Sequence, residues 1–224
     1  MARFHGVSPQ TPYRAFAGPG LALANIDETL LTPNTAMTDD QLVEAILGSG
    51  DMLGATDDGL SFSAEPDYQD WEFAGVPTGI RGGKRLISVE AQVEGSFTEM
   101  TTQNMKKFVP YLDTTPWEIG PEAGKRTLGD ILEPRPYIVD SDYMDNVAII
   151  AERQGTMVPL IIIIYNAFNS EGFELALEGD ENRSSTDVTF MAHYGQQTYD
   201  LTTGRYGVPY KIYTPEPAVL AITP

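Results

Sequence analysis

The sequence contains no cysteine and only two histidines, His5 and His193, among its 224 residues. Without cysteine the chain can have neither a disulfide framework nor a thiolate metal site, and nothing favours export into an oxidising compartment. Two histidines leave little room for a Ser-His-Asp triad, and no serine lies in the G-x-S-x-G pattern of a nucleophile elbow. We expect His193 to have a structural role at a strand end.

Motifs for phosphate and metal binding are also missing. The glycines at 18–20 and 79–83 lack the strand-to-helix context of a P-loop or a dinucleotide fingerprint. Residues 140–145 partly match a calcium loop, but Met144 occupies a ligand position and the required glycine is absent. We therefore predict no metal site, no cofactor and no enzymatic activity. A carboxylate pair for glycoside hydrolysis stays open, because its criterion is a distance.

Long apolar runs are absent as well. No window approaches the roughly 18 consecutive apolar residues that a membrane-spanning helix needs. The first ten residues, MARFHGVSPQ, do not contain the apolar stretch of a signal peptide. We predict a protein with no membrane partner, made and kept in a cytoplasm or built into a particle that is assembled there.

Basic residues are few, because 14 lysines and arginines face 32 aspartates and glutamates, a net charge of −18. Such a surface repels phosphate and argues against sequence-specific nucleic-acid binding. Residues 27–75 hold 12 carboxylates and no lysine or arginine, whereas Arg81, Lys84 and Arg85 form a small basic cluster. The acidic residues form a solvated face, meet basic segments of neighbouring copies, or line a passage for a polyanion; composition does not separate these interpretations.

The most informative stretch is 86–112. From Ile87 to Phe97, apolar residues alternate with polar ones, which predicts a strand with one buried and one solvent-facing side. A helical spacing then follows, and it predicts a short amphipathic helix that packs through Met105, Phe108 and Val109. Lys106 and Lys107 suit the carbonyl end of that helix.

The remaining sequence predicts a single mainly β domain at 37–213, with an extended arm at 1–36 and an extension at 214–224. Prolines and glycines without periodicity mark the arm. Thr38 and Gln41 have the spacing of a capping box for one short N-terminal helix. The segment 113–134 is predicted to be a long loop with a helical turn near Leu128–Leu132.

Further strands are predicted by alternation or β-branched runs, namely two around Pro66 and others at 136–139, 146–152, 157–168, 172–177, 187–193 and 208–213. The unbroken run LIIIIY at 160–165 indicates a strand covered on both faces.

Several of these segments together resemble the major tail tube proteins of long-tailed, siphovirus-type bacteriophages. The resemblance covers roughly residues 54–195. It rests on GAT-x-x-G-x-x-F at 54–62, the acidic Asp70-Trp71-Glu72, the long strand running into T-E-x-T-x-x-x-x-K-x-F at 98–108, and D-V-T-F at 187–190. The acidic, insertion-like stretch at 37–53 and the long N-terminal arm have no fixed counterpart in that family.

The resemblance implies a β-sandwich or partial barrel with one flanking helix, a subunit of hexameric rings that stack into a hollow tube for DNA delivery. The implied partners are other copies of the chain, a tape measure protein, a terminator protein and double-stranded DNA that passes without specific binding. The implied location is the tail of the virion. The solvent-facing strand residues are then candidates for the wall of the bore: Glu90, Gln92, Glu94, Glu174 and Glu178.

Two other functions remain open. A head-to-tail joining or tail terminator protein would form a single ring without polymerising. A carbohydrate-binding β-sandwich could use Trp71 and Trp117 with nearby acids as a sugar platform.

Overall fold

The computed structural model describes residues 20–31, 38–71, 81–121, 124–152, 159–175, 185–195, 198–202 and 205–214. Within them lie two α-helices, α1 (Asp39–Ser49) and α2 (Thr102–Phe108), and short 3-10 turns at Glu28–Leu31 and Asp140–Asp142. The strands are β1 (Leu21–Ala24), β2 (Asp51–Met52), β3 (Thr56–Asp70), β4 (Lys84–Phe97), β5 (Leu112–Ile119), β6 (Arg126–Pro134), β7 (Met144–Ala151), β8 (Leu160–Asn169), β9 (Thr186–Met191), β10 (Tyr199–Asp200), β11 (Arg205–Tyr206) and β12 (Tyr210–Tyr213).

Eight strands form one antiparallel sheet in the order β2-β1-β7-β8-β9-β4-β3, with β12 also paired to β8. One edge of β8 pairs along its length with β7. The other edge pairs with β12 at residues 161–164 and with β9 at residues 168–169. β8 therefore links two parts of the sheet, one around β7 and one around β9 and β4, and the predicted mainly β class is confirmed.

The main core lies between these two parts of the sheet. Val147 and Ile164 from one part and Val93 and Phe190 from the other belong to a single buried cluster. Phe97, Phe108 and Phe190 form its centre, with ring centroids 5.1 to 6.3 Å apart. Of the residues predicted to pack helix α2, Phe108 and Val109 are buried in this cluster and Met105 is half-buried.

A second core covers the opposite face of β8. Ile161, Ile163 and Tyr165 pack there against Ile46 and Leu42 of α1. The prediction that the LIIIIY strand is covered on both faces is therefore confirmed. The capping box is confirmed too, since Thr38 N–H donates to Gln41 Oε1 at 3.0 Å and Gln41 N–H donates to Thr38 Oγ1 at 3.4 Å. Gly50 follows the last residue of α1. A Cβ atom at this position would lie only 2.7 Å from Ile26 Cγ2, which favours glycine.

Residues 20–31 correct the predicted N-terminal arm. β1 pairs with β7, and Ala22, Leu23 and Ala24 are fully buried. Buried Asn146 accepts from Ile26 N–H at 2.9 Å and donates to Ile26 O at 3.0 Å, which fixes the chain beyond the strand. The predicted arm thus does not extend over residues 20–31, which are part of the β domain. Residues 1–19, 32–37 and 215–224 lie outside the described residues.

Other predictions are wrong in identifiable ways. Residues 113–134 are not a loop with a helical turn at Leu128–Leu132 but the antiparallel hairpin β5–β6, whose bulge at Leu128 breaks the alternation. β3 is one strand that runs through Pro66, not two strands. Residues 136–139 are not in a strand, and the carboxylate of Asp142 accepts from Val139 N–H at 2.8 Å, where a strand would have a backbone partner. Residues 172–175 of the predicted strand 172–177 are not in a strand.

Glu28 connects the first and last described segments. Its carboxylate accepts hydrogen bonds from Tyr165 Oη at 2.9 Å, from Tyr213 Oη at 2.6 Å and from Lys211 Nζ. Burial raises the pKa of Glu28, but these three hydrogen bonds outweigh it and hold the pKa below its ordinary 4.5. Burial and the Glu28 carboxylate together raise the pKa of Tyr213 to about 12.

The Glu28→Gln variant tests this connection. A carboxyl group with a lowered pKa in the folded state contributes stability above its unfolded pKa, and that contribution is lost as the pH falls. Because Lys211 is 56% exposed, we expect a loss of only about 1 kcal/mol in unfolding free energy at pH 7. The deficit should shrink below pH 4.5, as measured by urea denaturation at fixed protein concentration. Glu44→Gln, at an exposed position of α1, is the control; a deficit that is the same at pH 7 and pH 3 would contradict the proposed role of the charge.

Candidate assembly surfaces

One face of the β3–β4–β9 part of the sheet is polar and acidic. The pairing of β3 with β4 and of β4 with β9 brings twelve side chains onto this face, opposite the main core. The twelve, hereafter the acidic face, are Ser61, Ser63, Glu65, Asp67, Ser88, Glu90, Gln92, Glu94, Ser96, Asp187, Thr189 and Met191. Five of them are carboxylates and none is basic, so the face presents negative charge alone.

The predicted bore residues of β4 therefore lie together. Glu90 and Glu94 are exposed and Gln92 is half-buried, with Gln92 Nε2 donating to Glu94 Oε1 at 2.7 Å. Glu174 is exposed but lies after β8, outside any strand. Glu178 lies outside the described residues. The structure thus groups Glu90, Gln92 and Glu94, and it does not group Glu174 with them in a strand.

Sequence reasoning missed the residues of β3 and β9 that complete the acidic face. Glu65 lies directly opposite Glu90, and Asp187 lies directly opposite Ser96. Like charges directly opposite each other on neighbouring strands are destabilising, so the Glu65–Glu90 pair is a cost that the fold retains. The alternation of Ser61, Ser63 and Glu65 with apolar residues indicates a polar strand face. Because Pro66 was interpreted as a break between two strands, the pairing of this face with β4 was not predicted.

β3 forms an edge of the sheet. Among the described residues no strand pairs with its outer side. Pro66 lies opposite Val89, whose N–H points away from β3 and donates to Tyr194 Oη at 3.0 Å. In such a pair the nitrogen of Pro66 also points outward, so the edge lacks one donor there. The outer edge of β3 can therefore pair with another strand more fully on the N-terminal side of Pro66 than across it.

The β5–β6 hairpin forms a separate two-stranded sheet. From here on, "the arm" means this hairpin and not the predicted N-terminal arm at 1–36. None of its strand residues is buried. Four large apolar side chains in it are 41 to 50% exposed: Trp117, Ile119, Leu128 and Ile131. A two-stranded hairpin is marginally stable in water without further packing, and exposed apolar clusters mark interaction surfaces. The arm therefore has the composition of a surface that packs against a partner.

The base of the arm is held by Arg135. Its guanidinium forms an ion pair with the Asp142 carboxylate, and the two side chains are only 10% and 8% exposed. Arg135 also donates from its backbone N–H to Tyr111 O at 2.7 Å, and its Nε lies 3.1 Å from Asp113 Oδ1. Because Asp113 is the second residue of β5 and Arg135 directly follows β6, these contacts fix where the arm leaves the domain.

A groove of about 740 Å³, hereafter the edge groove, runs beside β4. Its apolar walls come from Leu86, Ile87, Tyr194, Tyr206 and Val208. Ile87 was predicted to face the core but is 58% exposed, because β4 has a bulge there relative to β3 and extends past the core. β9 pairs with β4 only from Gln92 onward, so residues 84–88 have no neighbouring strand on this side among the described residues.

Trp71 and Trp117, which a sugar platform would use, are 52% and 50% exposed. Trp71 follows β3, where its N–H donates to Gly83 O at 2.7 Å, and Trp117 belongs to the arm. In the described ranges, no group of three or more histidine, aspartate or glutamate side chains is arranged to hold a metal ion. No helix in those ranges is long and apolar enough to cross a membrane.

Comparison with known proteins finds no match, either to a protein-family model or to a curated protein sequence.

Removing Arg135 tests the anchor of the arm. The Arg135→Met variant leaves Asp142 as a buried carboxylate without its cation, which costs about 3–5 kcal/mol of stability. Relative to the parent protein, we expect the variant to show a larger increase in hydrogen-exchange rate in β5, β6 and residues 135–142 than in β7 and β8. The control is Lys84→Met, since the Lys84–Asp70 pair is 3.6 Å apart and more than 60% exposed, and such pairs contribute about 0–1 kcal/mol. Equal exchange in both variants would rule out the anchoring role.

Proposed function

We propose that this protein is a structural subunit of a phage tail tube, and that its copies form rings which stack around a bore. The observation that carries the proposal is the β3–β4–β9 part of the sheet. It packs the core on one side, presents five carboxylates on the other, and is open at β3. A sheet of this kind can be continued by a sister copy.

The open edge supports association. A long unpaired strand invites pairing with another chain, and closure of the sheet into a barrel across copies satisfies those backbone groups. The N-terminal part of β3, before Pro66, keeps its donors and acceptors available for such pairing. The exposed apolar side chains of the arm give a second surface, whose contact with water is unfavourable in an isolated copy.

The acidic face supports the proposed bore. Double-stranded DNA carries about one negative charge per 1.7 Å of its axis. A wall that repels phosphate lets DNA pass without being held, whereas lysine and arginine would bind it. In this proposal Glu65, Asp67, Glu90, Glu94 and Asp187 line the bore, and no side chain of the acidic face offers a cation to the DNA.

Electron microscopy of the purified protein tests the assembly. We expect hollow tubes, with rings as their repeating unit. Isolated rings that never stack would favour a joining or terminator protein instead. A protein that stays monomeric at high concentration would reject both alternatives, and binding of that monomer to glycans would favour a carbohydrate-binding module.

Charge reversal tests the position of the acidic face. Both Glu90 and Glu94 are exposed on the side of the sheet away from the core, so Glu90→Lys/Glu94→Lys should still assemble. We expect the variant tubes to retain short double-stranded DNA in a co-sedimentation assay at low salt, with release at high salt, because each lysine binds phosphate. The matched control is Asp40→Lys/Glu44→Lys on α1, which changes the net charge equally. Retention of DNA by both variants, or by neither, would mean that the acidic face does not line the bore.

A further inference from the structure

We infer that the arm of one copy docks into the edge groove of the next copy. This inference rests on the proposed function, since it takes the partner to be a second copy of the chain. The two surfaces are different parts of one subunit, so the contact is head-to-tail. Contacts of that kind propagate from copy to copy, and they close into rings or continue as filaments.

The edge groove favours an extended chain as its occupant. It lies along residues 84–88 of β4, on the side where β9 does not reach. An added strand can hydrogen-bond to such an edge while its alternate side chains enter the apolar walls. Tyr194 marks the inner end of the site, because its hydroxyl group lies 3.0 Å from Val89 N and takes the place of a strand there.

The arm fits that occupant. Trp117 and Ile131 lie on the same side of the hairpin, because Ile131 is directly opposite Thr115, two residues before Trp117. Both are large apolar side chains that remain 50% and 42% exposed. On the groove side Leu86, Ile87 and Tyr206 are 45, 58 and 60% exposed. Contact between the two would remove both apolar surfaces from water at once.

Charge favours the same pairing. The described arm has four carboxylates, Asp113, Glu118, Asp130 and Glu133, against Lys125 and Arg126. Asp113 is paired with Arg135 and Glu118 with Lys125, so Asp130 and Glu133 are the two that form no ion pair with another described residue. Arg85 lines the groove, and Lys84 and Arg81 precede it, which gives three cations within five residues of a chain whose net charge is −18. Lys84 is paired with Asp70 at an exposed position, and Arg81 and Arg85 form no ion pair with another described residue. Opposite charge thus steers the arm toward this end of β4 and away from the acidic face.

Crosslinking tests the contact, because the chain has no cysteine of its own. Thr115→Cys places a thiol on the arm beside Trp117, and Val208→Cys places one at the groove wall. We expect a short bismaleimide to join the two singly substituted proteins when they are mixed and assembled. Leu47→Cys on α1, 40% exposed in the parent chain, replaces the arm variant as the control and should give no product with Val208→Cys.

A second variant measures the contribution of the arm. Trp117→Ser/Ile131→Ser should raise the protein concentration needed for assembly on the order of 100-fold, from the lost burial of two large apolar side chains. Met52→Ser, at a 56% exposed position of β2, should leave that concentration unchanged. Circular dichroism of the double variant checks that the domain still folds.

The outcomes separate the two proposals. If the parent protein assembles, but Thr115→Cys and Val208→Cys do not crosslink and the double serine variant assembles normally, the docking contact is wrong and the tube proposal stands. If the parent protein stays monomeric under all conditions, both are wrong. Crosslinking that is specific to arm and groove, together with impaired assembly of the serine variant, supports the contact.

Discussion

The structure depends on one constraint, that β8 is apolar on both of its faces and must be covered twice. Ile161, Ile163 and Tyr165 lie under α1, while Ile164 and Ala167 belong to the main core. A strand of this kind cannot be an edge or face water on either side. Two unlike covers result, a helix with a 3-10 turn on one side and the β4–β9 sheet on the other.

The second cover determines where the acidic face lies. β8 changes its neighbour from β12 to β9 near its C-terminal end, so the sheet passes from one layer of the core to the other. Once Val89, Ala91 and Val93 fill the core, the two-residue period of a strand directs Glu90, Gln92 and Glu94 to the opposite side. The orientation of the acidic face is therefore a consequence of core packing, while the choice of carboxylates at those positions is not required by the fold.

The sequence predicted the features that depend on short-range pattern. The capping box at Thr38, the alternation in β4 and the two covered faces of β8 all follow from residues close together in the chain. The arm could not be recognised, because Pro116, Gly129 and the bulge at Leu128 disguise its alternation. Burial of β1 could not be foreseen either, since it depends on pairing with β7 more than 120 residues away. The edge groove likewise arises where β4, Tyr194 and the segment 206–208 meet in space.

The distribution of charge relates the acidic face to the edge groove. Copies with a net charge of −18 repel one another, so apolar burial at sites where the local charge is not acidic favours association more than contact between acidic surfaces does. Contact between two acidic faces would add repulsion without burying apolar surface. The end of β4 offers the opposite conditions, because exposed leucine, isoleucine and tyrosine side chains lie there beside three cations. Association through that end would leave the acidic faces open to solvent, as the proposed bore requires, and three of the 14 basic residues of the chain lie together there.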